Sequence, residues 1–145
     1  MSTDTKQLAA GIVGGLAGGV LFGVMMQVMG MLGMVAGLVG QESAVVGWVV
    51  HLAISVLFGL AYAVSIGPRS TSWGRALGLG GIYGVFWWVL GALVIMPLWL
   101  GMLAFQVGQV QLQSLAGHII YGIALAGVLH AMAQPARTVR VTSGA

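Results

Sequence analysis

Long apolar segments alternate with short polar ones along the chain. A helix needs about 20 apolar residues to cross the ~30 Å hydrocarbon core of a bilayer, and four segments reach that length. The pattern predicts spans at about 8–30 with an extension to 39, at 44–66, at 75–96 and at 115–133. These segments predict an all-α integral membrane protein, a bundle of four transmembrane helices that forms a single domain over residues 1–145.

Two stretches do not fit a simple crossing. As one helix, the first segment would be roughly 48 Å long, so we expect a break near Gly30 to Gly33. The break would leave the methionine-rich residues 31–40 as a short interfacial helix. Residues 98–113 become progressively richer in glutamine, and apolar and polar residues alternate from Gln106 to Gln113. This pattern predicts a loop or a short interfacial helix.

Composition agrees with a membrane location. Hydrophobic residues make up 59% of the 145 residues and charged residues only 5%, and the mean hydropathy is +1.06. Soluble proteins carry about 25% charged residues. The chain has no cysteine, which excludes disulfides and thiolate sites. The start, MSTDTKQ, lacks the character of a cleavable signal, so we expect the first apolar segment to be retained.

The few basic residues indicate an orientation. The formal net charge is +3, but the basic residues are spread over the ends of the spans, which argues against a nucleic-acid partner. All of them fall on one predicted side of the membrane: Lys6, Arg69, Arg75, Arg137 and Arg140. Because cytoplasmic loops are enriched in Lys and Arg, both termini are predicted to be cytoplasmic, in the cell (inner) membrane.

Glycine recurs every fourth residue in the first span, at Gly11, Gly15, Gly19 and Gly23. In water such glycines would weaken a helix by about 0.5–1 kcal/mol each. In lipid, small residues at this spacing let helices approach closely. We therefore expect a packing groove that meets either a helix of the same chain or another subunit.

The third span resembles the first. Residues 19–28 and 80–89 share a glycine or a valine at four aligned positions: Gly19 with Gly80, Gly23 with Gly84, Val24 with Val85 and Val28 with Val89. The second and fourth spans each carry a histidine near the outer end. These similarities favour a possible 2+2 parallel repeat.

These two histidines, His51 and His118, are the main candidate site. Ionisable groups inside a membrane suggest function by default. Three interpretations stay open: neutral imidazoles bonded within the protein, a proton-relaying pair, or ligands of a metal ion or of haem b. No nearby Arg or Lys suits the haem propionates, and Glu42 is the only acid on the outer side.

A glutamine, an aromatic group and several methionines also lie inside the spans. Gln27 needs a hydrogen-bonding partner, such as Ser55, Tyr83 or a second copy of the chain. Tyr83 belongs to an aromatic group that either lines a cavity or packs against lipid. The methionines of the first segment either provide adaptable packing or bind Cu(I) through their thioethers: Met25, Met26, Met29, Met31 and Met34.

Asp4 and Glu42 are the only acids, and both lie near span ends. Paired-carboxylate catalysis and carboxylate-rich Mg²⁺ or Ca²⁺ sites are therefore excluded. We expect no enzymatic activity.

Glycine and aromatic positions over residues 8–132 form a recognisable pattern: His51, Gly59, Tyr62, Gly81, Tyr83, Gly84, Trp88, Met96-Pro97, Gly101-Met102, His118 and Tyr121-Gly122. This pattern resembles small four-span bacterial and archaeal inner-membrane proteins of the YagU-like type, whose function is unknown. A role in acid resistance has been suggested for that type, and the resemblance implies a similar role for this chain. Our first expectation is an oligomeric or accessory subunit of a membrane complex; the alternatives are a small proton-linked channel or transporter, or a haem-, metal- or pigment-binding subunit.

Overall fold

A computed structural model describes residues 3–133 as a bundle of helices. The α-helices are α1 (Thr3–Val28), α2 (Leu32–Gly37), α3 (Ala44–Ser65), α4 (Trp73–Trp87), α5 (Met96–Trp99) and α6 (Gln109–Ala133). A 3₁₀ turn, Gly67–Arg69, follows α3, and a π-helical segment, Trp88–Ile95, joins α4 to α5.

Four stretches are long and apolar enough to span a membrane: Asp4–Val28, Ala44–Ser65, Trp73–Trp99 and Gln109–Ala133. They confirm the predicted all-α fold class and indicate a multi-pass membrane protein. One boundary differs clearly, because α6 begins at Gln109 and not at 115. Part of the stretch predicted as a loop or an interfacial helix thus belongs to the fourth helix. Just before this helix, the Gly108 N–H donates to Gln111 Oε1 at 3.0 Å.

The break in the first segment lies where the sequence predicts it. Helix α1 ends at Val28, and α2 begins at Leu32 after a turn. Gly30 has a φ of +68°, a left-handed conformation that glycine adopts at low cost. Helix α2 then packs on α3 as a short separate helix.

The third span continues past its predicted end at Met96. Pro97 has no N–H to donate to the carbonyl four residues earlier, that of Leu93. The Phe105 N–H donates to that carbonyl instead, at 2.8 Å. The π-helical segment ends at Ile95, two residues before the proline, and this bond holds the following loop, residues 100–108, against the span.

The four spans run alternately up and down, and each packs against two antiparallel neighbours in the order α3, α1, α6, α4. The chain enters α1 and leaves α6 at the same end, which we call the terminal end. There Gln7 donates to the Ala63 carbonyl, and His130 Nδ1 donates to the Ser70 carbonyl at 3.0 Å. The opposite end, with α2 and residues 100–108, is the distal end.

Glycine allows three of the four helix contacts. The predicted groove, Gly11, Gly15, Gly19 and Gly23, faces α3 of the same chain. Other glycines bring α1 to α6 and α4 to α6. A Cβ atom on Gly15 or Gly18 would lie 2.5 and 2.6 Å from the carbonyl oxygens of Ser55 and Tyr121, and one on Gly80 would clash with the carbonyl oxygen of Gly122. No side chain fits at such distances.

The fourth contact, between α3 and α4, is built from rings. Phe58 stacks on Trp87 with centroids 3.7 Å apart, and Tyr62 meets Tyr83 edge to face at 4.9 Å. The Tyr83 hydroxyl donates to the Phe58 carbonyl at 2.8 Å. Large side chains therefore hold these two helices further apart than the glycines hold the others.

The two halves of the suggested repeat pack in matching register. Gly19 faces Ser55, and its aligned counterpart Gly80 faces Gly122, which aligns with Ser55 when His51 is placed over His118. The contacts between the halves differ, because glycines join α1 to α6 whereas rings join α3 to α4. Duplication stays a prediction.

The glycine contacts can be tested by adding one methyl group. We expect Gly15→Ala to lower the stability of the bundle by about 1–3 kcal/mol, as overpacking does in other cores. The matched control is Gly78→Ala, because nothing lies within 4 Å of a Cβ there. Thermal unfolding in detergent, followed by circular dichroism, measures both; equal midpoints for the two variants would contradict the assignment.

Candidate functional site: a cavity in the distal half

A cavity of about 200 Å³ lies in the distal half of the bundle. Its walls come from the end of α1, from α2 and α3, from the end of α4, the π-helical segment and the start of α5, and from the start of α6. Most lining side chains are apolar, and the polar ones are His51, Gln111, Ser114 and His118. Towards the terminal end the bundle is filled, since Tyr62 and Leu125 are both 0% exposed.

His51 reaches the cavity from α3 and is buried. Its Nε2 lies 2.8 Å from the carbonyl oxygen of Gly19 on α1. A carbonyl only accepts hydrogen bonds, so Nε2 carries the proton of the neutral ring. No hydrogen bond to Nδ1 is found among residues 3–133.

His118 reaches the same cavity from α6. Its Nδ1 lies 2.8 Å from the carbonyl oxygen of Ser114, one turn earlier, so Nδ1 carries the proton. In the part of the chain that the structure describes, Nε2 has no hydrogen-bond partner. The two histidines are therefore oppositely protonated, and each has one nitrogen with a lone pair to offer.

Phe22 contacts both imidazoles. Its ring centroid is 5.4 Å from that of His51 and 4.8 Å from that of His118, both in edge-to-face geometry. The structure thus brings the predicted pair to one cavity with a phenyl ring packed against both. Haem b fits poorly, because Phe22 occupies this space and the cavity is smaller than the roughly 300–1,000 Å³ of usual ligand pockets.

A metal site of the common kind is also missing within residues 3–133, where no three His, Cys, Asp or Glu side chains come together. Methionine thioethers are a further type of metal ligand. Four methionines line the cavity from three elements and the turn before α2: Met26, Met31, Met34 and Met96.

Met96 lines the cavity, although the sequence analysis did not group it with the other methionines. It is distant in sequence from the methionine-rich stretch, and only the fold brings it there. Met25 and Met29, which the sequence grouped with the others, do not line the cavity.

Gln27, a further polar residue inside a span, does not line the cavity. Its Oε1 accepts from Trp48 Nε1 at 3.0 Å. The expected partners make other hydrogen bonds. The Ser55 hydroxyl donates to the His51 carbonyl at 2.7 Å, and the Tyr83 hydroxyl donates to the Phe58 carbonyl of α3. Gln27 therefore makes a hydrogen bond between α1 and α3, with a residue that was not among the expected partners.

Comparison with protein-family models, curated proteins and solved structures found no match. The resemblance to YagU-like four-span proteins therefore stays a prediction, and the geometry alone supports any functional proposal.

The opposite protonation of the two rings is directly measurable. We expect ¹⁵N imidazole spectra at neutral pH to show protonated Nε2 in His51 and protonated Nδ1 in His118, because each faces a carbonyl. His51→Gln and His118→Gln variants assign the signals. The same tautomer in both residues, or fast exchange between tautomers, would contradict the hydrogen bonds described here.

Proposed function

We propose that this chain is a non-enzymatic membrane protein that holds a small ligand in the distal cavity. The observation that carries the proposal is an unfilled, largely apolar cavity with a few convergent polar groups, which is the usual composition of a ligand site. The π-helical segment in its wall adds support, since π-helical geometry occurs frequently at functional sites.

The packing of the terminal half favours binding over conduction. Between the cavity and the terminal end, three side chains are between 0% and 4% exposed: Tyr121, Leu125 and Leu129. A proton-linked channel or transporter would need these side chains to move apart. Such an activity stays an alternative with less support than a binding site.

The oligomeric or accessory subunit that the sequence favoured also stays a proposal. Its main argument was the glycine groove, and in the structure the groove is occupied by α3 of the same chain. The ligand-binding function is compatible with membership of a larger membrane complex. It does not require a second copy.

An orientation completes the proposal. Lys6, Arg69 and Arg75 lie at the terminal end of the bundle, whereas Arg137 and Arg140 fall outside the described residues. By the positive-inside rule the terminal end is cytoplasmic, and the cavity then lies in the outer half of the cell membrane.

Single cysteines test this orientation cleanly, because the chain has none of its own. We expect Ser43→Cys, between α2 and α3, to react with an impermeant maleimide on intact cells. Thr71→Cys, between α3 and α4, should react only after permeabilisation. The reverse pattern would place the cavity on the cytoplasmic side.

Xenon tests whether the cavity accepts a guest, since the gas enters apolar cavities of this size class. We expect xenon to shift the methyl resonances of Met26 and Met96 in the purified protein. Ala92→Trp, in the cavity wall, should abolish the shifts, while Val45→Trp, at a 72% exposed position, should preserve them. Absent shifts in the wild type, or equal shifts in both variants, would overturn the proposed function.

A further inference from the structure

The methionines around the cavity have a distribution that packing alone does not explain. The chain has nine methionines, and the four that line this cavity come from α1, α2, α5 and the turn before α2. Methionine commonly fills irregular gaps in a core. Here the gap is not filled, because about 200 Å³ remains between the side chains.

The histidines are arranged as metal ligands usually are. A ligating imidazole almost always donates its other N–H to a carbonyl or carboxylate, which fixes the tautomer and aims the free nitrogen. His51 donates to Gly19 at 2.8 Å, and His118 donates to Ser114 at 2.8 Å. Each imidazole therefore already donates the hydrogen bond that ligating histidines almost always make from their other nitrogen.

The ligand types select the ion. The cavity lining contains thioethers and imidazoles but no Asp, Glu, Lys or Arg. Mg²⁺ and Ca²⁺ need oxygen ligands, and structural Zn²⁺ sites use four Cys, His or carboxylate ligands. Thioether sulfur is a soft ligand that selects Cu(I). A single positive charge is also easier to remove from water than a double one, which matters in a site without counter-charges.

The elements that carry these ligands are tied together. Trp99 Nε1, at the end of α5, donates to the Leu38 carbonyl after α2 at 3.1 Å. The Trp88 indole donates to the Gln111 carbonyl of α6 at 2.8 Å. These bonds hold the walls with Met34, Met96 and His118 in a defined arrangement before any ion enters.

We propose that the distal cavity binds Cu(I) through methionine thioethers and a free imidazole nitrogen of His51 or His118. This inference rests on the proposed function, since it names the ligand of the same cavity. It needs no change in the oxidation state of the ion. It also needs no second protein, because all candidate ligands belong to one chain.

Silver tests the site without redox side reactions, because Ag(I) has the same charge and a similar preference for thioethers. We expect the purified full-length protein to bind one Ag(I) per chain in calorimetric titration, and native mass spectrometry to show the added ion. Met26→Leu combined with Met96→Leu should weaken binding at least about tenfold, the scale on which lost ligand-shell groups act. Leu and Met have similar volumes, so the fold should tolerate the exchange.

The matched control is Met25→Leu combined with Met29→Leu, which makes the same chemical change outside the cavity. This control should bind Ag(I) as the wild type does. If the double variant in the cavity fails to fold, Met34→Leu, at a 40% exposed position, provides the second test and should also weaken binding. Equal weakening in the cavity and control variants would overturn the site.

Xenon and silver together separate the two proposals. Xenon binding without Ag(I) binding would overturn the copper assignment and leave the ligand cavity standing. If the protein binds neither xenon nor Ag(I), the proposed function is overturned as well. After Cu(I) loading, X-ray absorption should show sulfur and nitrogen neighbours; a shell of oxygen alone would overturn the assignment.

Discussion

Close backbone contact between α1 and its two neighbours is the constraint on which the rest of the structure depends. In a bilayer, an apolar side chain gains little free energy when it exchanges lipid neighbours for protein neighbours. Helices therefore associate through close packing and hydrogen bonds. Glycines on two faces of α1 permit this approach to α3 and to α6. The bond from His51 to the Gly19 carbonyl follows from it, since the imidazole reaches a backbone that carries no side chain.

The different chemistry of the fourth contact creates the site. Three contacts are narrow because glycines form them, while stacked and edge-to-face rings separate α3 from α4. Phe58 and Trp87, which form part of this wider contact, also line the cavity. The terminal half is filled by Tyr62 and Leu125, and the distal half keeps a cavity beside the two histidines.

Pro97 shapes the cavity wall by a local effect. The missing N–H leaves the Leu93 carbonyl to the Phe105 amide, and the backbone before the proline is π-helical. This segment lines the cavity with Gly91, which has no side chain, and Ala92, which has only a methyl group, and both leave space. A residue usually regarded as a helix terminator thus acts inside a continuous span, because another backbone donor satisfies the released carbonyl.

The sequence by itself determined the number and type of the spans, the break at Gly30 and the glycines of α1, because hydropathy, length and glycine conformation are local properties. It also singled out His51 and His118. Only the tertiary structure decided that the glycines face α3, that Gln27 bonds Trp48, that Met96 joins Met26 and that α6 begins at Gln109. The physical reason is that a membrane span is apolar on all sides, so its hydrophobic pattern does not distinguish the face towards lipid from the face towards protein.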